Sequence, residues 1–358
     1  MRMALVHDWL NQHGGAENVL EVLVEMFPQA PIYTSMYWPQ AMPPFYRQWD
    51  IRTSWLDRWP LIKAHHQPFL PLYPLAFHSF DLSDYDLVLS NKSGFCHGVR
   101  TSLAATHICY CLTPTRYLWD FEGYIAREGL GLLARLLVSP LVGPLRSWDL
   151  AAARRVTAFV AISREVQARI STFYHRDSTI IYPPVDTSRF QLALDHDDYF
   201  LIVSRLIPYK RIDLAVEACT KLGLPLVVIG EGRDRARLEA LAGPTVRFLG
   251  WVSDGDRARY MSRCRAFLFP GREDFGIAPL EAQATGRPVI AYAAGGALDT
   301  VIEGETGALF YQPTVEALVE VLLHFDEGDY DPMVIRRNAE RFDTTVFKRK
   351  LREFIASR

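Results

Sequence analysis

Residues 267–281 read FLFPGREDFGIAPLE, and the fold turns on how this stretch is parsed. Residues 266–269 form a short apolar run with the look of a buried strand, and Pro270-Gly271 breaks it into a polar turn carrying Glu273 and Asp274. A helix is expected next. Pro279 suits its first turn because proline has no N–H to lose there, and Gly286 stands where a residue just past the helix C-terminus belongs. The free N–H groups near Phe275, Gly276 and Ile277 then point beyond the carboxyl end of a strand, where an anion gains hydrogen bonds and the helix dipole together. Gly276 carries no side chain to obstruct that approach. Glu273 and Glu281 frame the place, and carboxylates beside a phosphate repel it unless they bind hydroxyls instead. The pattern therefore asks for a ligand with phosphates and sugar hydroxyls in one molecule.

The E-x7-E spacing of Glu273 and Glu281, with Phe275-Gly276 between them, resembles the nucleotide-sugar signature of the family 4 retaining glycosyltransferases. On its own the spacing fits a solvated loop charge and an ordinary helix residue. Its setting carries the resemblance: strand, Pro-Gly turn, Phe-Gly, helix, a further strand over 287–292 and then Gly295-Gly296. The resemblance implies an α/β chain of the GT-B fold, with two Rossmann-like doubly wound domains facing a central cleft and a C-terminal helix crossing back to the first. Its boundaries are expected at 1–187 for an acceptor-binding domain, 188–340 for a nucleotide-sugar domain and 341–358 for the returning helix. The Pro183-Pro184-Val185-Asp186 step is a stiff exit from the first half.

Length and composition agree with that organisation. At 358 residues the chain suits two α/β domains. With 49% hydrophobic residues, 22% charged and a net charge of -2, it reads as an ordinary globular chain and not as a polyanion binder, so no nucleic-acid partner is expected. The 5 cysteines are odd in number and sit in apolar contexts, which points to reduced thiols and a cytoplasmic location. Cys109-x-Cys111 lacks the second ligand pair of a zinc site. No leader is expected before the first strand at residues 4–6, and no run of about 18 apolar residues suggests a membrane span.

The first half alternates strand and helix with aromatic insertions. Gly14-Gly15 separates the first strand from a helix with Val19, Leu20, Leu23, Val24 and Phe27 at helical spacing. Such a pair lets backbone pass close to a phosphate, although it is more often a plain turn. The resemblance gives Gly14 and Gly15 contact with the donor diphosphate. His7 and Asp8 close the first strand as structural or acceptor-side groups. Residues 31–80 loosen into a Pro-, Trp- and Tyr-rich segment, and seven of the 8 tryptophans lie at or before Trp148, so acceptor recognition is placed in this half. Core filling explains any single aromatic there. As a group, residues 61–80 with Phe69, Leu70 and Leu72 suggest a lipid-facing or sugar-stacking surface, hence peripheral contact with the inner face of a cell membrane.

A strand over 87–89 should end in a polar turn at 90–94, and a second strand over 107–111 leads into Leu112-Thr113-Pro114-Thr115-Arg116-Tyr117-Leu118-Trp119. This run resembles the His-Thr-Pro-x-Arg-Tyr-Leu-Trp of the bacterial O-antigen mannosyltransferase-like branch, with Leu112 in place of the histidine that the branch sets near the donor sugar. His7, His97 or Arg116 could compensate. Residues 129–156 are apolar but interrupted by Pro and Gly, and read as packed helix or an interfacial element.

The second half reads as a regular nucleotide domain. After a strand over 199–203 come Arg205 and Lys210, one able to hold a diphosphate bidentately and the other as a compact charge. The resemblance assigns both to the leaving group. Gly230-Glu231-Gly232 opens like a dinucleotide fingerprint but lacks the third glycine, so it is taken as a tight turn beside the nucleotide, with Trp251 flanking the base. Asp195-His196-Asp197 precedes a strand instead of following one, which favours a solvated linker over a metal site.

The implied activity is a retaining, metal-independent transfer of a hexose, best matched to mannose from GDP-mannose, onto a saccharide or lipid-linked acceptor. Glu281 would take the ribose hydroxyls and Glu273 those of the sugar, with no cofactor beyond the donor. A phosphorylase- or epimerase-type enzyme of the same fold and a non-catalytic sugar-nucleotide binding protein stay open as alternatives.

Overall fold

The computed structural model describes residues 2–64, 67–121, 123 and 132–358, and divides the chain into two units. Unit 1 comprises Met1–Tyr182 with Lys348–Arg358, and unit 2 is Pro183–Phe347. Its strands, in chain order, are β1 (Met3–His7), β2 (Ile32–Thr34), β3 (Ile51–Thr53), β4 (Asp81–Leu82), β5 (Leu87–Lys92), β6 (Arg100–Thr101), β7 (Thr106–Cys111), β8 (Ala158–Ala161) and β9 (Ser178–Ile180). Seven of them form a parallel sheet in the order β3-β2-β1-β5-β7-β8-β9, while β4 and β6 pair apart. The sheet is wound outward in both directions from the β1/β5 pair, where Leu5 sits opposite Leu89. Ligands of open α/β sheets bind at the carboxyl ends of strands at such a reversal.

Unit 2 has β10 (Phe200–Val203), β11 (Leu226–Ile229), β12 (Val246–Gly250), β13 (Ala266–Phe269), β14 (Val289–Tyr292) and β15 (Gly307–Phe310). They lie parallel in the order β12-β11-β10-β13-β14-β15, so the reversal falls between β10 and β13. Alternate residues of these strands feed two cores, as the period of two requires. Phe200, Ile202 and Leu268 pack with the helices Ile212–Leu222 and Val315–His324 on one face. Leu201, Phe267 and Phe269 pack on the other with Met261 and Ala282, from the helices Asp254–Arg263 and Ile277–Ala284. Burial on both faces explains why the strands are uniformly apolar instead of alternating.

Several elements differ from the sequence reading. The strand expected to stop at residue 89 continues to Lys92 with every residue buried, because Ser90, Asn91 and Lys92 find partners far away in the chain. Strands β2 and β3 fall inside the Pro- and Trp-rich segment that showed no strand pattern. Residues 132–155 are one helix, with Pro140 and Pro144 inside it. Its second half is held by the core: Leu145 and Trp148 pack on the aromatic cluster of unit 1, and Asp149, Ala152 and Ala153 are fully buried. The first half ends earlier than residue 187. Val185 N–H bonds the Phe342 carbonyl at 3.0 Å and Thr187 bonds Asp343, which ties residues 185–187 to unit 2. Lys348 reaches Glu25 at 2.6 Å within unit 1. Among the described residues no helix is long and apolar enough to cross a membrane.

Candidate active site

The β10/β13 reversal of unit 2 gathers most of the charged residues singled out by sequence. Strand β10 runs out into Ser204 and Arg205, and a short 3-10 turn, Pro208–Lys210, follows. Arg211 at φ 50° swings the chain into the helix Ile212–Leu222. Strand β13 runs out into Pro270 and Gly271, and Gly271 lies so close to the Lys210 backbone that a Cβ there would come within 2.6 Å of its carbonyl oxygen. That close approach sets Lys210 against the second loop, and its ammonium donates directly to Glu273. The two side chains are 16% and 15% exposed. They line one small pocket with Ser204, Pro270 and Gly271, floored by Ile202, Val203, Phe267 and Phe269.

The same loop is clamped from its other side. Gly296 N–H bonds the Glu273 carbonyl at 2.8 Å, and Gly295, at φ 63°, would push a Cβ to 2.1 Å from that oxygen. Glu273 therefore has its backbone fixed by Gly295-Gly296 and its carboxylate fixed by Lys210. Gly276 caps the helix Ile277–Ala284 at φ 96°, in the left-handed half of the map that a side chain resists. A Cβ there would also meet the Phe269 ring at 2.6 Å. Phe275 is buried, while Gly276 and Ile277 are half-buried. The first-turn amides of such a helix have no intrahelical acceptors and can face an anion.

Arg205 is exposed, and its guanidinium has no partner among the described residues. Glu281 does not line the Lys210–Glu273 pocket. It is nearly buried and meets Arg257, whose Nη1 lies 3.0 Å from Oε2 and 3.3 Å from Oε1. Burial pushes the Glu281 carboxyl above the usual range, and the Arg257 charge opposes it. Arg257 was missed from the sequence, although it carried a signal: a cation in the first turn of the helix Asp254–Arg263 stands against the dipole and calls for an anionic partner.

Gly230 and Gly232 prove to be packing glycines. Cβ atoms there would stand 1.9 Å from the Ser204 carbonyl oxygen and 2.1 Å from that of Leu206, so both let the loop carrying Arg205 lie flat on its neighbour. Trp251, just past β12, is 81% exposed. Asp195 and Asp197 both pair with Arg263, at 2.8 and 2.6 Å, and act as a surface tie.

In unit 1, Gly14 and Gly15 begin the helix Gly15–Met26 just after β1. The other candidates there are turned inward. His7 accepts from Asn91 at Nδ1 (3.2 Å), which puts its proton on Nε2 toward Glu17 at 3.1 Å. The Asp8 carboxylate takes the N–H groups of Ser93, Gly94, Phe95 and Cys96 at 2.6 to 2.8 Å, so it ties down a loop and has no capacity left for an acceptor hydroxyl. Of the two roles read for Asp8 from the sequence, these bonds are those of the structural one. Arg116 opens a short helix, Arg116–Trp119, and is half-buried. Leu112, four positions earlier, is half-buried too. Behind that segment lies a fully buried polar group. Lys92 Nζ donates to the Thr113 carbonyl (3.2 Å) and to Thr115 Oγ1 (3.1 Å). Asp149 accepts from Thr115, Trp119 and Tyr174 at 3.0, 2.7 and 2.8 Å. Burial works against the Lys92 ammonium, yet the Asp149 charge holds its pKa above the ordinary value.

Comparison with known proteins fits this geometry. The glycogen synthase of Pseudomonas paraeruginosa is 27% identical over 307 residues, 80% of this chain and 56% of that protein. The chain spans a little over half the length of the first curated relatives it matches. Among solved structures, the Anabaena protein HepE in complex with UDP-glucose is similar at a TM-score of 0.71 and 17% identity, and the sucrose-phosphate synthase of Thermosynechococcus elongatus at 0.74 and 19%, each covering 100% of both chains. At these identities the likeness is one of fold. The chain as a whole has the two-sheet GT-B fold, and residues 184–342 match the family described as glycosyl transferases group 1.

Proposed function

We propose that the protein is a retaining glycosyltransferase that moves a hexose from a nucleoside diphosphate sugar to a saccharide or lipid-linked saccharide. One observation carries the reading: the contact between Lys210 and Glu273 at the β10/β13 reversal, one turn of chain before a glycine-capped helix N-terminus. Cation and carboxylate side by side suit a ligand that is phosphate at one end and polyol at the other. In transfer, the bond from the anomeric carbon to the diphosphate breaks as the acceptor oxygen bonds that carbon on the same face. The acceptor proton passes to a phosphate oxygen. Negative charge grows on the leaving diphosphate, where Lys210, Arg205 and the amides after Gly276 stabilise it, and interactions of this kind at a developing charge are worth about a hundredfold or more in rate. Glu273 holds sugar hydroxyls and Glu281 the ribose. From unit 1, Gly14 and Gly15 serve the diphosphate and Arg116 the sugar or acceptor.

UDP-glucose leads the donor candidates because the solved HepE structure binds it and glycogen synthases recur among the relatives. GDP-mannose is the rival, from the run at residues 112–119. The proposed membrane-facing surface rests on Trp59, Leu61 and Leu75, which are 45%, 69% and 59% exposed. Phe69, Leu70 and Leu72 pack against the core and are half-buried.

The test is thermal stabilisation by a panel of nucleotide sugars, since a ligand that binds only the folded state raises the melting temperature, followed by transfer from the best binder in the presence of EDTA with the product anomer read by NMR. Lys210→Ala is expected to lower kcat/KM by about a hundredfold to a thousandfold at an unchanged unfolding midpoint. Near-normal turnover in that variant removes the leaving-group role. Leu112 favours a second reading, a binding protein without transfer, because an apolar side chain stands where the resembled branch has histidine. Tight donor binding with no transfer to any saccharide, and no hydrolysis or epimerisation, would select it.

A further inference from the structure

Glu281 does not stand alone. Arg257 approaches both of its oxygens through a single nitrogen, Nη1, at 3.0 and 3.3 Å. Arg257 Nη2 lies 3.5 Å from Asp254, and Arg189 donates to Asp254 at 2.7 Å. A row of alternating charge thus runs from the buried carboxylate outward: Glu281, Arg257, Asp254, Arg189. Glu281 is 9% exposed, whereas the Asp254 side chain is 70% exposed. The cation next to Glu281 is consequently fixed from both ends. Ser253 caps the helix on which Arg257 rides, its Oγ accepting from Asp256 N–H at 3.1 Å.

We propose that Arg257 is a positioning residue for the nucleotide: it keeps Glu281 ionised and aimed so that both carboxylate oxygens accept from the two hydroxyls of a ribose cis-diol, and so sets a preference for ribonucleotides over 2′-deoxyribonucleotides. The inference rests on the nucleotide-binding reading above. Each carboxylate oxygen offers two acceptor positions. A single guanidinium nitrogen placed between the oxygens takes one position on each and leaves one on each for a hydroxyl. A protonated carboxyl could not serve, since one oxygen would then carry a hydrogen. Burial favours that protonated form, Arg257 and Arg189 oppose it, and Asp254 adds to it. A plain ion pair between two helices would also put these atoms together, but it would not discriminate between sugars.

The experiment is calorimetric titration of the full chain with UDP and with 2′-deoxy-UDP at about pH 5.5, 7 and 8, a range above the ordinary carboxylate pKa. Wild type, Arg257→Leu, Arg257→Lys and Glu281→Gln are compared. Wild type is expected to bind UDP about tenfold to a hundredfold more tightly than the deoxy compound, the range for a hydrogen bond to a charged group, with little dependence on pH. Arg257→Leu should lose most of that ratio, and its UDP affinity should fall as pH drops, because the Glu281 carboxyl rises further once its counter-charge is gone. Arg257→Lys keeps the charge but not the reach to both oxygens, so its pH profile should stay flat while the ratio shrinks. If Arg257→Leu folds and keeps both the wild-type ratio and the flat profile, the residue only braces two helices and the inference fails. Where Arg257→Leu does not fold, an unchanged ratio in Arg257→Lys has the same force. Wild type that binds neither UDP, GDP nor ADP overturns the nucleotide reading itself, a result distinct from loss of the ratio.

Discussion

The two sheets reverse their winding at equivalent places, β1/β5 in unit 1 and β10/β13 in unit 2, and they treat the polar residues there in opposite ways. At β1/β5 the side chains are committed inward: His7 to Glu17 and Asn91, Asp8 to four backbone amides, Lys92 to Thr113 and Thr115. All are essentially inaccessible. At β10/β13 the guanidinium of Arg205 is exposed, and Lys210 and Glu273 hold each other beside a pocket. One topology thus serves two ends. In unit 1 the charges at the strand ends brace loops, whereas in unit 2 they stand exposed or beside a pocket.

The largest effect that can break this comparison lies at Asp149. Its replacement by alanine leaves the Lys92 ammonium buried without its counter-charge and strips Trp119 Nε1–H and Tyr174 O–H of their acceptor. Breaking a buried ion network from one side costs about 3–5 kcal/mol. Seven of the 8 tryptophans lie at or before Trp148, so indole fluorescence in a denaturant titration reports unit 1. The midpoint should fall steeply in Asp149→Ala. A midpoint within error of wild type would mean that the unit 1 network is not the brace described.

Acid should separate the units next. Burial pushes the His107 imidazole down to about 4 and drives His97 well below its ordinary value, so both are neutral in the folded protein. An unfolded chain takes up those protons at about pH 6.5, where free histidine titrates. Stability from these groups is therefore complete above that pH and is lost as the pH falls toward the folded value, at up to about 1.4 kcal/mol per pH unit for each histidine. Over the whole window His107 alone is worth about 3 kcal/mol by this reckoning. In unit 2, His196 and His324 sit at the surface. The tryptophan signal should consequently lose denaturant resistance between about pH 6.5 and 4, earlier than nucleotide-dependent protection of unit 2. Simultaneous loss of both would dissolve the distinction.

What was legible in the sequence follows from where each residue's partners lie. The strand, Pro-Gly turn and helix around residues 266–284 were readable because their punctuation is local: Pro270 and Gly271 end the strand, Gly276 opens the helix and Gly286 at φ 84° follows it. Lys210 and Glu273 were both singled out, but their contact was not foreseen, since it spans 63 positions. Ser90-Asn91-Lys92 looked like a turn for the same reason. Polar residues normally mark a strand's end, and partners distant in sequence, among them His107, His7 and Thr115, offset the cost of burial here. The three-residue strands β2 and β3 are too short for any periodicity to register. Asp8 was visible as a strand-end carboxylate, yet nothing in the sequence said that four amides of residues 93–96 would claim it.

The smallest effect tests the edge of the unit 2 site. Trp251 follows Gly250, whose carbonyl accepts from Gly230 N–H at 2.8 Å, so its backbone is tied to the turn beside the Arg205 loop while its indole stands 81% exposed. An indole so exposed has almost no packing to lose, and Trp251→Ala should leave the unfolding midpoint unchanged, within about 0.5 kcal/mol. A change in ligand affinity would then be a binding effect and not a folding one. If Trp251 stacks on the base, its loss should weaken UDP by about twofold to tenfold, the worth of one aromatic pair. It should weaken uridine by the same factor and inorganic pyrophosphate not at all, because the contact is with the ring. Equal weakening of pyrophosphate would place the indole near the phosphates instead, and unchanged affinity for all three would remove Trp251 from the site and confine ligand recognition in unit 2 to the charged residues and backbone amides of its central loops.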